Sequence, residues 1–169
     1  FFSNRLGDLQ FFAQSPDIIH LNSRGKKLID DYFRSHADRI RIFSRIDAGG
    51  KVQHAAPYDP RFAGGDISGL KHFQALKKSL KPHVSEVTLL LRGFRAVVIQ
   101  VPVFREGRFD GAVSFAVSFE LLAKEFLEGI RIGDTGYAWM ISRDGTELYC
   151  PVPGHIGKNV SETCKGFPD

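Results

Sequence analysis

The segment from Phe94 to Phe119 constrains the fold more than any other part of the sequence. Its residues alternate with a period of two, which is the period at which side chains of a β-strand reach the same face. Glu106-Gly107 divides the segment into two predicted strands, Phe94–Phe104 and Arg108–Phe119. A turn this short makes the strands antiparallel neighbours, so we expect a sheet that other elements must cover.

The second of these strands alternates by size, with Val113, Phe115 and Val117 on one face. We call this the bulky face. Small residues occupy the other face, which we call the small face; they are Ala112, Ser114, Ala116 and Ser118. In the preceding strand, Val98 shares a face with Gln100, the single amide of an apolar run. Two interpretations stay open. Either the small face lines a small-molecule pocket with few polar groups, or a helix covers it closely and Gln100 is satisfied locally or by solvent.

The N-terminal residues predict a helical lead, to which we assign the range 1–38. Phe2, Leu6, Leu9 and Ala13 recur at helical spacing. A break follows at Ser15–Asp17, where a serine N-cap and a proline in the first turn restart a helix, and a third helical stretch covers Ser23–Ser35. The aromatic residues exceed what one apolar stripe needs, so we expect a homodimer through this lead; they are Phe1, Phe2, Phe11 and Phe12.

Between these segments and after them, the sequence predicts short strands and helices separated by glycine, proline and aspartate. The predicted elements are a hairpin of Ile40–Ile46 and Lys51–Ala56, a loop over Tyr58–Gly69, a helix over Leu70–Leu80 capped by Ser68, a strand over Val84–Leu91, a helix from Ser118 or Phe119 to Glu128, and a hairpin of Tyr137–Ser142 and Thr146–Cys150. Asp47, Asp110 and Asp144 are interpreted as turn residues.

Composition excludes several classes of function. The chain has 169 residues and a net charge of +4, but its lysines and arginines are scattered, so we expect no nucleic-acid partner. Phosphate-loop, dinucleotide and hydrolase motifs do not occur, and we predict neither an enzyme nor a cofactor. The six histidines are dispersed, and no metal site is expected. Cys150 and Cys164 form a short-loop disulfide or remain two thiols.

The helix Leu70–Leu80 carries basic groups near the small face of the sheet. Lys71, His72 and Lys77 lie near its start and middle, and at least one of them is expected to face the cavity and meet an anionic ligand. The alternative is a solvated helix face, and this is the interpretation that we prefer for Lys77 and Lys78. His72 is less clear, because it stands next to the apolar Phe73.

The order of these elements resembles the Cache family, the PAS-like extracytoplasmic sensor domains of bacterial transmembrane receptors, in particular the double-Cache type. The resemblance covers Ile40–Lys158 and rests on motifs in a fixed order: Arg45–Val52, Gly65–Ser68, Lys71–Phe73, Val101–Val103, Phe109–Val113, Gly136–Gly145, Cys150-Pro151 and Ile156–Lys158. It implies an α+β fold in which a PAS-like central antiparallel sheet follows the long N-terminal helical lead and precedes the start of a second, smaller module. We therefore divide the chain into the lead (1–38), a membrane-distal ligand-binding module (39–130) and the opening of a membrane-proximal module, truncated or reduced (131–169).

The resemblance also implies a ligand site between the sheet and the segment Tyr58–Leu80. The amino-acid-binding branch of the family carries an Arg-x-Trp-aromatic signature and an aspartate in the last strand; here Ala116 stands in place of that aspartate, and Trp139 is the only tryptophan. We therefore do not expect an α-amino acid. Because the basic residues Lys71, His72, Arg92 and Arg95 lie nearby in sequence, we expect a small carboxylate. The residues assigned to the site are Tyr58, Lys71, His72, Phe73, Arg95, Val98, Gln100, Ser114 and Ala116.

By the same resemblance, the chain is a periplasmic sensor domain of a histidine kinase or chemoreceptor in two-component or related signal transduction. It would be tethered to the inner membrane in its parent protein. The alternative is a structural or dimerisation module of such a receptor that binds no ligand. The sequence leaves the ligand and the output domain unidentified.

Overall fold

The fold combines helices with an antiparallel sheet, as the sequence predicts. The computed structural model describes residues 2–127, 129–134, 136–142 and 144–163. Two compact units divide the chain, and the boundary falls between Ser118 and Phe119. The assignment of the three sequence segments to functional modules stays a prediction.

Three helices open the first unit and form the helical lead: α1 (Phe2–Gln14), α2 (Pro16–Ile19) and α3 (Ser23–Ser35). Pro16 occupies the first turn of α2, where its missing N–H costs nothing. Ser15 is the N-cap residue of α2, as predicted, although its side chain makes no capping hydrogen bond. The Asn22 side chain caps α3, since it accepts a hydrogen bond from the Gly25 N–H at 2.9 Å.

The sheet of the first unit has six strands. They are β1 (Ile42–Ile46), β2 (Val52–Ala56), β3 (His83–Val84), β4 (Thr88–Leu89), β5 (Arg95–Arg105) and β6 (Arg108–Ser118). Their order is β2-β1-β6-β5-β3, and β4 also pairs with β5. The two long strands form the predicted hairpin and pair over their whole length, with one irregularity between Val103 and Phe104.

The strand predicted over Val84–Leu91 is interrupted, and only its ends pair with β5 as β3 and β4. Ser85 explains part of the break, because its hydroxyl accepts a hydrogen bond from the Val98 N–H at 2.9 Å. The segment that follows β4 turns back through a Leu90–Phe94 backbone bond of 3.0 Å. This turn brings Leu90–Arg92 to the small face of the sheet.

The bulky face of the sheet packs against the helical lead. Phe43 and Phe115 are fully buried, and their rings lie 4.7 Å apart. Phe12 of α1 lies 5.0 Å from Phe43, and Tyr32 of α3 stacks on Phe115 at 5.3 Å. The size alternation of β6 therefore predicted correctly which face carries the core. Phe12 belongs to this core, so its assignment to the surplus aromatic surface of the lead is wrong.

Arg45 links the helical lead to the sheet from this buried face. Its guanidinium donates to the carbonyls of Ile18 and Ile19 at 3.2 and 3.4 Å, and to Asp110 Oδ2 at 2.7 Å. The side chain is almost completely buried, and this burial lowers the pKa of Arg45 while the charge of Asp110 opposes the shift. Asp110 lies within β6, so its interpretation as a simple turn residue is wrong.

The small face is covered in part by α4 (Lys71–Ser79). Phe73 and Leu76 of this helix pack against Ile46 and Ala112 in one apolar cluster. The residue at the helix N-cap is Leu70, and the prediction of Ser68 is wrong. The Ser68 N–H is held by Asp66 Oδ1 at 2.8 Å in the turn before the helix.

The second unit has small elements: α5 (Phe119–Leu127), β7 (Arg131–Ile132), β8 (Gly136–Tyr137), β9 (Met140–Ile141), β10 (Glu147–Tyr149) and α6 (Val160–Thr163). The predicted hairpin around Asp144-Gly145 is present as β9 and β10. Its first strand is shorter than predicted, because Tyr137 pairs with Arg131 in a separate hairpin. Cys150 is a free, buried thiol, and Cys164 lies outside the described residues.

Candidate ligand-binding site

A cavity of about 90 Å³ lies on the small face of the sheet, beside the part that α4 covers. One water occupies about 10–15 Å³ on the same measure, so the cavity holds several waters or a small organic molecule. Strands β1, β2, β5 and β6 supply one wall, and the loop before α4 and the turn after β4 supply the others. The lining residues are Ile42, Ser44, Ile46, Val52, Ala55, Phe62, Gly65, Ile67, Leu70, His72, Leu90, Leu91, Arg92, Val98, Ser114 and Ala116.

A row of polar residues crosses this apolar sheet face. Ser44 of β1 pairs with Ser114 of β6, Ser114 pairs with Gln100 of β5, and Gln100 pairs with His83 of β3. Since residues paired across strands share a face, the four side chains form one polar row. Both serines line the cavity. The row therefore places hydrogen-bonding groups at the wall of a mostly apolar site, as small-molecule sites do.

Gln100 is the unusual member of the polar row. It is 0% exposed, and neither its amide oxygen nor its amide nitrogen has a hydrogen-bond partner among the described residues. A buried amide without partners costs about 1–3 kcal/mol for each unsatisfied group. Such a group in a native protein needs an explanation, and an additional bound molecule or water is the usual one.

His72 forms part of the cavity wall from the first turn of α4. The side chain is buried, with 7% of the residue exposed. Burial lowers the pKa of His72 to about 4, and the nearby His83 adds to the shift. The imidazole is therefore neutral at pH 7 and offers the cavity one donor and one acceptor without charge.

The depressed pKa of His72 predicts a loss of stability in weak acid. The unfolded chain binds a proton at this histidine below pH of about 6.5, whereas the folded chain does so only near 4. Stability should therefore fall as the pH drops between these values. We expect the difference in unfolding free energy between wild type and His72→Gln to depend on pH across this window. Urea unfolding from pH 7.5 to 4.5 measures it, and a constant difference would contradict the prediction.

Arg92 lines the cavity at the turn between β4 and β5. Its Nη2 donates to the Pro57 carbonyl at 3.0 Å, and its guanidinium carbon lies 5.5 Å from the centre of the Phe62 ring. Partial burial lowers the pKa of Arg92, and the charge of Asp59 opposes this shift. Among the described residues that line the cavity, Arg92 is the only lysine or arginine, and no aspartate or glutamate is present. The fixed charge of the site is therefore positive.

Four of the residues assigned from the sequence line this cavity: His72, Val98, Ser114 and Ala116. Gln100 lies in the polar row beside them. Phe73 is buried on the face of α4 that packs against the sheet, and Lys71 is exposed on the surface of the same helix. Arg95 pairs with Leu89 at the start of β5. Tyr58 is 72% exposed and lines a neighbouring groove that also contains Arg92. Their roles in binding stay a prediction.

The sequence reasoning left several wall residues out of the site. Ser44 was detectable, because it is the one polar residue among Ile40, Ile42 and Ile46 in an alternating strand. Leu90–Arg92 were assigned to the end and turn of a strand, and no local signal showed that the chain folds them over the sheet. Phe62 lies in a loop whose course depends on contacts distant in sequence.

The model of one protein family matches residues 21–118, and its description is HK/GC/Chemotaxis protein-like, sensor domain. The match includes the whole sheet and the cavity. No curated protein gives a significant match. Within the described residues, no helix is both long enough and apolar enough to cross a bilayer.

Solved structures share the fold at low sequence identity. The amino-acid chemoreceptor PctC of Pseudomonas aeruginosa, whose ligand-binding domain was solved with GABA, has a TM-score of 0.71 and 18% identity over 96% of this chain and 73% of its own. The extracellular domain of the putative histidine kinase mmHK1S-Z3 has a TM-score of 0.70 and 17% identity over 95% and 68%.

An extracellular ligand-binding receptor from Desulfohalobium retbaense has a TM-score of 0.66 and 22% identity over 85% of this chain. This chain spans only 27% of the length of that receptor. At these identities the structural likeness establishes the fold, which is that of Cache-type ligand-binding domains. Together with the family match over the sheet and cavity, it shows that this chain belongs to the family of HK/GC/chemotaxis protein-like sensor domains.

Proposed function

We propose that this chain is the extracytoplasmic, periplasmic sensor domain of a bacterial transmembrane receptor and binds a small carboxylate in the cavity. The observation that carries the ligand class is the charge of the lining, in which Arg92 stands without an acidic residue among the described groups. A carboxylate accepts two parallel hydrogen bonds from a guanidinium, which is the geometry that arginine offers. Family membership supports the role as a sensor.

The remaining polar groups suit the rest of such a ligand. Neutral His72 offers one donor and one acceptor. Gln100 is not a lining residue, but it pairs with Ser114 at the wall and has an unused donor and an unused acceptor. Ser44 and Ser114 add hydroxyl groups along the same row. Apolar side chains make most of the remaining wall, so a short carboxylic acid with a hydroxyl, keto or amide substituent fits both parts of the lining. The volume of about 90 Å³ favours a ligand of few heavy atoms.

An α-amino acid fits this cavity less well, because its ammonium group needs an anionic partner. One candidate is Asp59, which lines the neighbouring groove together with Arg92. Asp59 already pairs with Arg61 through bonds of 3.0 and 2.7 Å, and the Arg61 hydrogen bond is the main cause that lowers the pKa of Asp59 to about 2. Amino acids remain the necessary comparison, since PctC was solved with GABA.

A thermal-shift screen tests the ligand class. We expect at least one short carboxylate to raise the melting temperature, whereas the corresponding neutral amide and a panel of amino acids do not. A ligand at 100 times its dissociation constant adds about 2.7 kcal/mol to the free energy of unfolding. Arg92→Gln should abolish this stabilisation. Because it also removes the bond to the Pro57 carbonyl, the shift is measured against the empty form of the same variant. Arg108→Gln is the matched control, because Arg108 is exposed and outside the cavity lining.

A second variant separates ligand binding from folding. Gln100→Leu replaces an unsatisfied buried amide by an apolar group of similar size, so the empty protein should be as stable as wild type or more stable. Binding should nevertheless weaken. No stabilisation by any compound would favour the ligand-free structural module. Stabilisation by amino acids alone, or undiminished binding in Arg92→Gln, would show that the ligand class is wrong.

The proposal includes a parent receptor that holds the domain at the membrane. The helical lead would then continue from a membrane-spanning helix, and the parent sequence should contain an apolar stretch of about 20 residues on each side of this chain. Homodimerisation through the lead also stays a proposal. Its support is now Phe11, which is 74% exposed on α1, because Phe12 is buried and Phe1 lies outside the described residues. The side chain of Phe2 is likewise undescribed.

A further inference from the structure

Three side chains that could hold a metal ion lie together in the second unit, on β10 and in the loop that follows it. Glu147, Cys150 and His155 each offer one ligand atom, and the three atoms lie within 4.8 Å of one another. We propose that this group is a binding site for a divalent transition metal ion, with Zn²⁺ as the preferred ion. Thiolate, imidazole and carboxylate are the three ligand types that zinc takes in proteins.

Two of the distances between the ligand atoms match those around a single zinc ion. Cys150 Sγ lies 3.7 Å from His155 Nδ1, and His155 Nδ1 lies 3.5 Å from Glu147 Oε2. Ordinary zinc bond lengths in a tetrahedron place sulfur and nitrogen about 3.6 Å apart, and nitrogen and oxygen about 3.4 Å apart. The third pair, Cys150 and Glu147, lies within 4.8 Å, and binding the ion would bring these two atoms to about 3.6 Å. Three protein ligands leave a fourth position for water or another ligand.

The second observation is the state of the Glu147 carboxylate. The residue is 1% exposed, and its Oε2 has no hydrogen-bond partner among the described residues. The other oxygen, Oε1, accepts a hydrogen bond from the Thr163 hydroxyl. A buried carboxylate oxygen without a hydrogen bond is costly, and a bound cation would remove that cost. The same oxygen is the one that faces His155.

The backbone holds the loop in this arrangement independently of the side chains. The Glu147 N–H donates to the Lys158 carbonyl at 2.8 Å, and the Gly157 N–H donates to the Glu147 carbonyl at 2.7 Å. Thr146 and Asn159 add a β-bridge. These bonds return the loop to β10, so His155 comes back toward Glu147 although eight positions separate them. The dispersed histidines of the sequence gave no indication of this site.

A catalytic triad would use the same residue types, but the geometry excludes it. In a triad the imidazole contacts the nucleophile through one nitrogen and the carboxylate through the other. Here the thiol and the carboxylate both lie nearest to Nδ1 of His155. One atom cannot receive the proton of the thiol while it donates to the carboxylate, whereas a metal ion binds all three atoms at once.

Metal titration of the whole reduced chain, without an affinity tag, tests the proposal. We expect calorimetry to show one Zn²⁺ per chain and a higher melting temperature with the metal. With Co²⁺ we expect a thiolate-to-metal absorption band. Cys150→Ser should lose this band, and His155→Asn should lose stoichiometric binding. Of these variants, His155→Asn should disturb folding least, because the His155 side chain is 27% exposed. Far-UV circular dichroism verifies that each variant is folded.

Two control variants test whether the loss of metal binding is specific to the three proposed ligands. Cys164→Ser removes the other cysteine of the chain, and His20→Asn removes an exposed histidine of the first unit. Both should bind the metal as wild type does. The proposal is overturned if wild type does not bind one equivalent, if the band survives in Cys150→Ser, or if folded His155→Asn binds as tightly as wild type. The site is independent of the sensor cavity, so neither result bears on the carboxylate proposal.

Discussion

Replacing Arg45 by methionine should lower the free energy of unfolding of the first unit by about 3 kcal/mol. Removal of one partner from a buried ion pair typically costs about 3–5 kcal/mol. We expect the lower end of this range, because Asp110 keeps a second ion pair with Arg105 at 3.1 Å. Arg105 also donates to the Ile19 carbonyl, at 2.9 Å, and keeps that bond in the variant. The loss therefore comes mainly from the bonds of the buried guanidinium to the carbonyls of Ile18 and Asp110.

Urea unfolding followed by far-UV circular dichroism measures this effect. Arg41→Met is the matched control, since Arg41 is an exposed arginine next to the start of the same strand, and its replacement should change stability by less than about 0.5 kcal/mol. Arg45→Lys keeps the charge but not the forked set of donors, and it should lie between the two. Equal stability of Arg45→Met and Arg41→Met would contradict the role of Arg45.

A single methyl group at Gly111 should also cost at least about 3 kcal/mol. Gly111 lies in β6 with a φ of +110°, in the region that side chains rarely adopt. A Cβ at this position would stand 2.0 Å from the Ile46 carbonyl oxygen and 2.5 Å from the Asp47 carbonyl carbon. Both atoms belong to the backbone of the neighbouring strand end, so the clash can be relieved only by moving β1 away from β6.

Gly107→Ala is the control that separates the steric clash at Gly111 from the strain of placing a side chain at positive φ. Gly107 has a φ of +75°, and a Cβ there would meet nothing within 4 Å. We therefore expect Gly107→Ala to cost about 1 kcal/mol through strain alone. The same urea experiment compares the two variants. If they lose equal stability, close approach of β1 to β6 does not explain the glycine at position 111.

The sequence predicted best those features that depend on regular periodicity. The long hairpin of β5 and β6, its bulky and small faces, and the helix Ser23–Ser35 follow from side chains that repeat at strand or helix spacing. The interrupted strand before β5 was not predictable in this way, since Ser85 breaks it through a bond to the backbone of another strand. Arg45 sits in an ordinary alternating pattern, and only the tertiary fold shows that this arginine is buried.

The candidate site likewise contains residues that periodicity predicted and residues that only the tertiary fold brings together. The wall formed by Ser114, Ala116 and Val98 was predictable because size alternation marks a strand face that leaves room. Arg92 was noted only for being close to the site in sequence, and the turn that brings it to the cavity depends on contacts of Leu90–Phe94. The group around Glu147 is assembled by backbone bonds between β10 and its loop, which leave no trace in residue spacing.

The strands that line the cavity also pack against the helical lead. Ser44 and Ser114 face the cavity, while their sequence neighbours Phe43, Arg45 and Phe115 hold the helices on the opposite side. A single backbone layer thus separates the two. Helix α1, which packs on β5 and β6, has 13 residues and a length of about 20 Å. For a helix of this length, a tilt of about 5° at the sheet would displace the far end by about 1.7 Å.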